Sequence, residues 1–243
     1  MDSRIANIRL TQSCKNCLHY AQRIGGSMLN ILFVSDYVCP YCLVAKEALK
    51  QALAETGLEA NIAWQPFELT VEPRERVDTY HDEARKAKYQ VLVEPCKKLG
   101  LDMKLPPKVV PRPYTRLAFE GWYYACSKGV GEAYNDLMYR AYFINEQDIG
   151  EKKVLVRLAE SLGLDGAEFE KVLDEGTYSK KEKAAVEYAR EVLQIGGVPT
   201  IYINEQKIGL QEFTKEEMIR ILQEENANAE AGGGMFCGAD GCS

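Results

Sequence analysis

Asn30-Ile31-Leu32-Phe33-Val34-Ser35-Asp36-Tyr37-Val38-Cys39-Pro40-Tyr41-Cys42-Leu43-Val44 decides the fold. Its first six residues are a short apolar, β-rich run consistent with a buried strand. From Cys39 the pattern changes. Leu43, Val44, Ala48, Leu49, Ala52 and Leu53 form a helical stripe stopped by Gly57, and Pro40 suits the first helical turn. Cys-x-x-Cys also occurs in zinc sites, so the context matters. At a strand-to-helix junction it reads as a redox pair. The helix start offers unpaired N–H groups and a partial positive charge, both of which favour thiolate over thiol. Cys39, at the exposed start, is then the attacking nucleophile, and Cys42, one turn further in, resolves the mixed disulfide. A zinc reading needs two further ligands, and neither His19 nor His81 is close in sequence.

Downstream, Glu59 to Phe67 alternates through Ile62, Trp64 and Phe67, which predicts a second strand and a βαβ unit. Residues 69–195 turn helical, broken by Leu105-Pro106-Pro107, Pro111 and Pro113. Val154, Leu155, Leu158 and Leu162 form a stripe closed by Gly163. Asp165-x-x-Glu168 and Ser179-x-x-Glu182 have the capping-box pattern, the second opening a stripe of Ala185, Tyr188, Ala189, Val192 and Ile195. After Gly196-Gly197, Thr200 to Asn204 reads as a strand, Glu205-Gln206 as a tight turn and Lys207-Ile208-Gly209 as its partner. Thr214-x-x-Glu217 caps a last helix through about Gln223. The expected organisation is an extension over 1–27, an α/β domain over 28–68 and 196–225, an inserted all-helical domain over 69–195, and a flexible tail over 226–243. Pro199, placed just before a strand and paired with the upstream Cys-x-x-Cys, is a cis candidate.

Composition narrows the functional classes. Thirty Lys and Arg against 36 Asp and Glu give a net charge of −6, and the basic residues are scattered, so no nucleic-acid footprint exists. No apolar run approaches the roughly 20 residues that span a bilayer. Met1 to Ser27 lacks the apolar core of a secretory signal, so a cytoplasmic location is expected. Eight cysteines in that setting argue for redox or metal roles rather than a stapled framework.

Cys39-Pro40-Tyr41-Cys42 after a strand, with Gly197-Val198-Pro199-Thr200 far downstream, resembles the DsbA family of the thioredoxin superfamily. More narrowly, the chain is similar to the FrnE-like branch through Ser35-Asp36-x-x-Cys39, Trp64-x-Pro66-Phe67-Glu68-Leu69, Thr115-Arg116-x-Ala118, Arg140-Ala141-Tyr142-Phe143 and Asp148-Ile149-Gly150. The resemblance runs from about Leu29 to Leu222. It implies a thioredoxin-like fold with a large helical insertion, and disulfide exchange at Cys39 and Cys42 with protein substrates. It also implies a cis-proline loop in which Val198 and Pro199, with Pro40 and Tyr41, meet an extended substrate. No cofactor is expected beyond the redox-active disulfide. A thiol reductant is the expected partner, and the Pro-Tyr pair, shared with glutaredoxins, leaves glutathione open. The alternative in the same superfamily is the kappa-class glutathione transferase and hydroxychromene carboxylate isomerase group. Those enzymes place serine and glutathione at the nucleophile position, whereas both cysteines are present here. In a reducing cytoplasm, net reduction or isomerisation is favoured over oxidation.

Cys237-Gly238-Ala239-Asp240-Gly241-Cys242 can close a tight loop, and FrnE-like proteins carry such a pair. It is expected to exchange electrons with Cys39 and Cys42, with 226–234 supplying the reach. Cys14 and Cys17 lie outside the resemblance. They read as a separate redox pair, an inert extension, or a zinc site with His19 or, if the termini meet, with Cys237 and Cys242 as a Cys₄ set, which opens a third reading as a zinc-stabilised binding or chaperone module. Cys96 and Cys126 read as buried small hydrophobes. Asp36 reads as a turn residue or a group tuning the thiolate, Trp122, Tyr123 and Tyr124 as core, and His81 as a solvated residue on a charged helix.

Overall fold

The computed structural model describes residues 28–233. Strand β1 (Leu29–Ser35) is central, with Leu29, Ile31 and Phe33 buried on one face and Val34 on the other, while Asn30 stays exposed. Helix α1 (Pro40–Thr56) follows and stops at Gly57, whose φ of 66° lets its N–H return to the Leu53 carbonyl. Strand β2 (Ala60–Pro66) then lies parallel to β1, from Leu29 opposite Ala60 to Ser35 opposite Pro66. Strand β3 (Thr200–Ile203) runs antiparallel on the other side of β1, and β4 (Gln206–Ile208) pairs with β3. The order is β2-β1-β3-β4.

The hairpin turn is one residue earlier than expected. Asn204 and Glu205, not Glu205 and Gln206, take the left-handed conformation, with φ of 48° and 69°. A two-residue turn matching the sheet twist needs positive φ at both positions, and Asn tolerates it. Asn204 is also held by Asn30, whose N–H donates to its Oδ1 at 3.0 Å and whose carbonyl accepts its N–H at 2.8 Å.

The insertion contains α2 (Glu83–Tyr89), a short 3₁₀ turn at Gln90–Leu92, α3 (Val93–Leu99), α4 (Arg116–Ser127), α5 (Gly131–Phe143), α6 (Lys152–Ser161), α7 (Gly166–Asp174) and α8 (Ser179–Glu187). Residues 67–82 and 100–115 are irregular rather than helical. Proline-imposed loss of N–H donors explains the second gap. Helix α8 ends in a π turn, Tyr188–Val192. That extra residue shifts the helical phase, so Val192 of the predicted apolar stripe is exposed while Ala189 stays buried.

Caps divide in the same way. Asp165 accepts the Glu168 N–H at 2.9 Å, as expected. Ser179 does not cap, because Tyr178 occupies that position and Ser179 lies inside the helix. Glu182 turns into the interior instead of reaching back. His81 precedes α2 instead of lying on a helix and pairs with Asp78 at 2.9 Å.

The last helix, α9 (Lys215–Gly233), continues well past the expected stop near Gln223. Residues 226–233 are therefore helix, where a flexible tail was expected. The stretch from Glu224 to Ala231 is rich in Ala and Glu, strong helix formers. Arg220–Glu224 at 3.2 Å and Asn226–Glu230 at 2.9 Å add supports one turn apart.

One apolar core joins the sheet to the insertion. Tyr37, from the β1–α1 loop, stacks on Phe119 of α4 with centroids 4.5 Å apart and meets Tyr139 of α5 edge-on at 5.2 Å. Alongside, Lys46 of α1 is buried against Asp136 and Glu132 of α5, with its ammonium 5.5 Å from the Trp64 ring centroid.

Candidate active site

The Cys39-Pro40-Tyr41-Cys42 motif stands where β1 delivers it. Asp36 shapes the approach: its carbonyl accepts the Cys39 N–H at 3.0 Å, and its buried carboxylate accepts Val38 N–H at 3.4 Å and Leu69 N–H at 2.7 Å. It therefore fixes the loop before the motif to the chain leaving β2, the turn role foreseen for it. Burial raises the Asp36 carboxyl, opposed by the Leu69 hydrogen bond, the charge of Arg112, the Thr115 hydroxyl and the Val38 bond. Cys39 is the N-cap of α1, in extended conformation and making no side-chain cap bond, with Pro40 at the first helical position. The Cys42 N–H donates to the Cys39 carbonyl at 3.1 Å, so the cysteines occupy successive ends of the first turn.

The second half of the site comes from the other end of the fold. The Val198–Pro199 bond is cis, one of four cis X–Pro bonds among the described residues. Cys39 Sγ donates to the Val198 carbonyl at 3.3 Å. Thr200 Oγ1 donates to the Gly197 carbonyl at 2.8 Å and secures the loop from its strand side.

The structure corrects one feature of the sequence reading. Cys39 is only 3% exposed, not open at the helix start. The Val198 carbonyl closes on its sulfur. Tyr41 of the motif packs on Phe213 with ring centroids 5.3 Å apart. Tyr41 Oη also donates to the Lys88 carbonyl at 2.8 Å, tying the motif to α2 of the insertion. Phe213 is held by Glu217, whose carboxylate accepts the N–H groups of Gln211, Glu212 and Phe213 at 2.8–3.0 Å. Cys42 is fully buried. Burial pushes its thiol well above the ordinary range, the hydrogen bond and charge of Cys39 add to that, and a backbone hydrogen bond at Asp36 opposes it. Burial thus disfavours the thiolate at the inner sulfur, while the outer sulfur faces the proline loop.

With that geometry the comparisons become informative. The family model for the DSBA-like thioredoxin domain matches residues 30–219. This chain belongs to that family. A Bacillus subtilis (strain 168) relative, the uncharacterized protein YwbO, is 38% identical over 181 residues, covering 74% of this chain and 89% of its own length. Among solved structures, the probable DsbA oxidoreductase SCO1869 of Streptomyces coelicolor is 24% identical at a TM-score of 0.66, covering 88% of this chain and 98% of that one. A 2-hydroxychromene-2-carboxylate isomerase is 16% identical at 0.65, with 84% and 98% covered. The cytosolic disulfide reductase DsbM of Pseudomonas aeruginosa is 18% identical at 0.56, also with 84% and 98% covered. These structural likenesses are likenesses of fold, and they agree with a DsbA-like thioredoxin fold carrying a helical insertion.

The structure brings together Cys39, Cys42, Pro40, Tyr41, Val198 and Pro199 from the two ends of the DsbA-like domain. Cys14, Cys17, Cys237 and Cys242 lie outside the described residues, and so do the auxiliary redox pair and the zinc set built on them. Among the described residues, no group of three or more His, Cys, Asp or Glu side chains is placed to hold a metal ion. No helix there is long and apolar enough to cross a membrane. Cys96 is buried and donates to Met103 Sδ at 3.6 Å, and burial pushes its thiol up to about 11, which keeps it inert. Cys126 closes α4, half-buried.

Sequence reasoning missed the flank of the site. Phe213 and Lys88 sit in stretches with no motif of their own. Glu68 was part of a quoted motif and Glu182 of a cap pattern, yet both are buried in the same place. An acidic residue inside a capping pattern reads as a surface residue, so only the packing reveals it.

Proposed function

We propose that this DsbA-like chain is a thiol–disulfide oxidoreductase or disulfide isomerase acting on protein substrates through Cys39 and Cys42, within the FrnE-like branch that its motifs resemble. The observation that carries this reading is the 3.3 Å contact between Cys39 Sγ and the Val198 carbonyl, with Cys42 one turn behind. Cys39 thiolate attacks a substrate disulfide, forming a mixed disulfide and releasing one substrate sulfur as a thiolate. Cys42 then passes its proton to that thiolate and attacks Cys39 Sγ, releasing the second substrate thiolate, which takes a proton from water, and leaving a Cys39–Cys42 disulfide. An external thiol supplies the two electrons that restore the dithiol.

An extended substrate segment would run beside Val198 and Pro199 and meet Tyr41. In a cytoplasmic setting the poise favours reduction or isomerisation. Glutathione is our candidate reductant. DsbM, a cytosolic reductase of the same fold, has been solved with GSH.

The test is trapping. A Cys42→Ala variant holds substrates on Cys39 as mixed disulfides, which non-reducing gels and peptide mapping detect and added thiol reverses. Failure to recover any adduct would overturn Cys39 as the nucleophile. Glutathione-dependent activity that survives Cys42→Ser would favour the transferase or isomerase alternative. Stoichiometric zinc lost through Cys14→Ser, without disulfide exchange in the wild type, would favour the binding module.

A further inference from the structure

The most unusual chemistry outside the dithiol is a set of buried glutamates. Glu68, just after β2, Glu120 of α4 and Glu182 of α8 are all excluded from solvent. Arg116 satisfies one oxygen of Glu120 at 2.8 Å. Glu68 Oε2 and both carboxylate oxygens of Glu182 have no N–H or hydroxyl donor among the described residues. Glu68 and Glu182 instead face each other within hydrogen-bonding reach. Two ionised carboxylates are both acceptors, so this contact is a hydrogen bond only when one of them carries a proton.

The pair lies where the chain returns from the insertion. Gln65 of β2 donates to the Ala185 carbonyl of α8 at 2.7 Å. Arg190, in the π turn, donates to the Glu68 carbonyl and sits 4.4 Å from the Phe67 ring centroid. The same segment then runs through Ile195, whose N–H bonds the Ala189 carbonyl at 2.9 Å, into Gly196 to Pro199. Whatever secures α8 to the end of β2 therefore sets where the proline loop begins.

We propose that Glu68 and Glu182 are positioning residues, a clasp closed by a single shared proton that holds the Val198–Pro199 loop against Cys39. The proposal rests on the dithiol reading above and extends it. When the proton leaves for solvent, two carboxylates face each other in a buried space, and α8 with its π turn separates from β2. The charged and titratable groups around the clasp are Asp36 from the β1–α1 loop, Arg116, Glu120 and Tyr123 from α4, and Arg190 from the π turn, with Lys183 of α8 acting on Glu120. Arg116 and Arg190 favour ionisation. Burial and the neighbouring carboxylates outweigh them, and both carboxyls are raised.

The experiment compares wild type with Glu182→Gln between pH 6 and 9.5. It reads amide-exchange protection across residues 188–199, corrected for intrinsic exchange, together with the rate of exchange with a disulfide peptide. The amide of glutamine donates permanently to Glu68 and so mimics the closed clasp. Wild-type protection is expected to fall by about tenfold per pH unit above neutrality, the slope of one released proton, while the variant stays flat. The peptide exchange rates of the two proteins diverge over the same range. Equal pH dependence in both would overturn the clasp. Glu68→Gln provides the same donor from the other side if Glu182→Gln does not fold. Protection that titrates as expected in a protein lacking disulfide exchange would uphold the clasp and overturn the dithiol reading. Active exchange with untitrating protection would do the reverse.

Discussion

Cys39 Sγ donates to the carbonyl of Val198 at 3.3 Å, across 159 residues of sequence. The contact joins the N-terminus of α1 to the loop before β3, so the insertion between them must fold back before the site exists. It also separates the roles of the two cysteines. Cys39 meets the proline loop and Cys42 faces only the interior.

The first prediction concerns that difference. In a Cys39→Ala variant kept reduced at pH 8, iodoacetamide should modify Cys42 at least about tenfold more slowly than a free cysteine peptide, because the reactive form is the thiolate and burial disfavours it. Peptide mapping by mass spectrometry resolves Cys42 from the other cysteines. Modification at the free-peptide rate would show that the site opens and that the inner thiol is not a protected reserve.

What the sequence made legible follows physical range. The β1–α1–β2 unit was readable because its signals are local: an apolar run, a proline at the helix start, a glycine at its end. Pro199 was readable as the partner of Cys39 only through the family resemblance, since no periodicity links the two. The hairpin turn moved by one residue because Asn204 answers to Asn30 across the sheet as well as to its neighbours. Ser179 failed as a cap because the helix starts one residue earlier, with Tyr178 at the cap position. The burial of Cys39 depends on where the Val198 loop closes on it, and sequence spacing carries no such information.

A second prediction tests the clasp of α1 on α5. Lys46 has a side chain 6% exposed, and burial lowers its ammonium below the ordinary range against the opposing charge of Glu132. Asp136→Ala removes its direct partner and leaves the charge largely to Glu132, 3.9 Å away. Stability in urea should fall by about 1.5–3 kcal/mol. Lys46→Met, which removes the buried charge while keeping the stem, should cost less than Asp136→Ala.

A third prediction tests packing in the insertion. A Cβ on Gly121 would fall inside van der Waals distance of the Tyr134 hydroxyl and the Phe169 ring. Gly121→Ala should therefore destabilise by about 1–3 kcal/mol, although alanine is the better helix former. An equilibrium denaturation midpoint at or above the wild-type value would contradict this packing.

The fourth prediction is the pH dependence of global stability. Glu68 and Glu182 are pushed up to about 7 and about 9, first by burial and then by neighbouring carboxylates, from an ordinary value of 4.5. The folded state therefore holds protons that the unfolded chain has released. Stability is highest at acidic pH and declines as pH rises through the folded-state range. One proton's difference maintained from pH 7 to 9 corresponds to about 3 kcal/mol. Urea midpoints measured across that range should fall, and Glu182→Gln should flatten the decline.

The length of α9 has a consequence for how far the chain travels from the site. Phe213, just before the helix, touches Tyr41 at the redox end of the sheet, whereas the Glu225 carbonyl accepts from Asn204 at the opposite end, 3.5 Å away. Nineteen helical residues make a rod about 28 Å long, pointing away from the dithiol. Over the described residues α9 is therefore a spacer, a stiff strut that separates the two ends of the sheet rather than a leash between them.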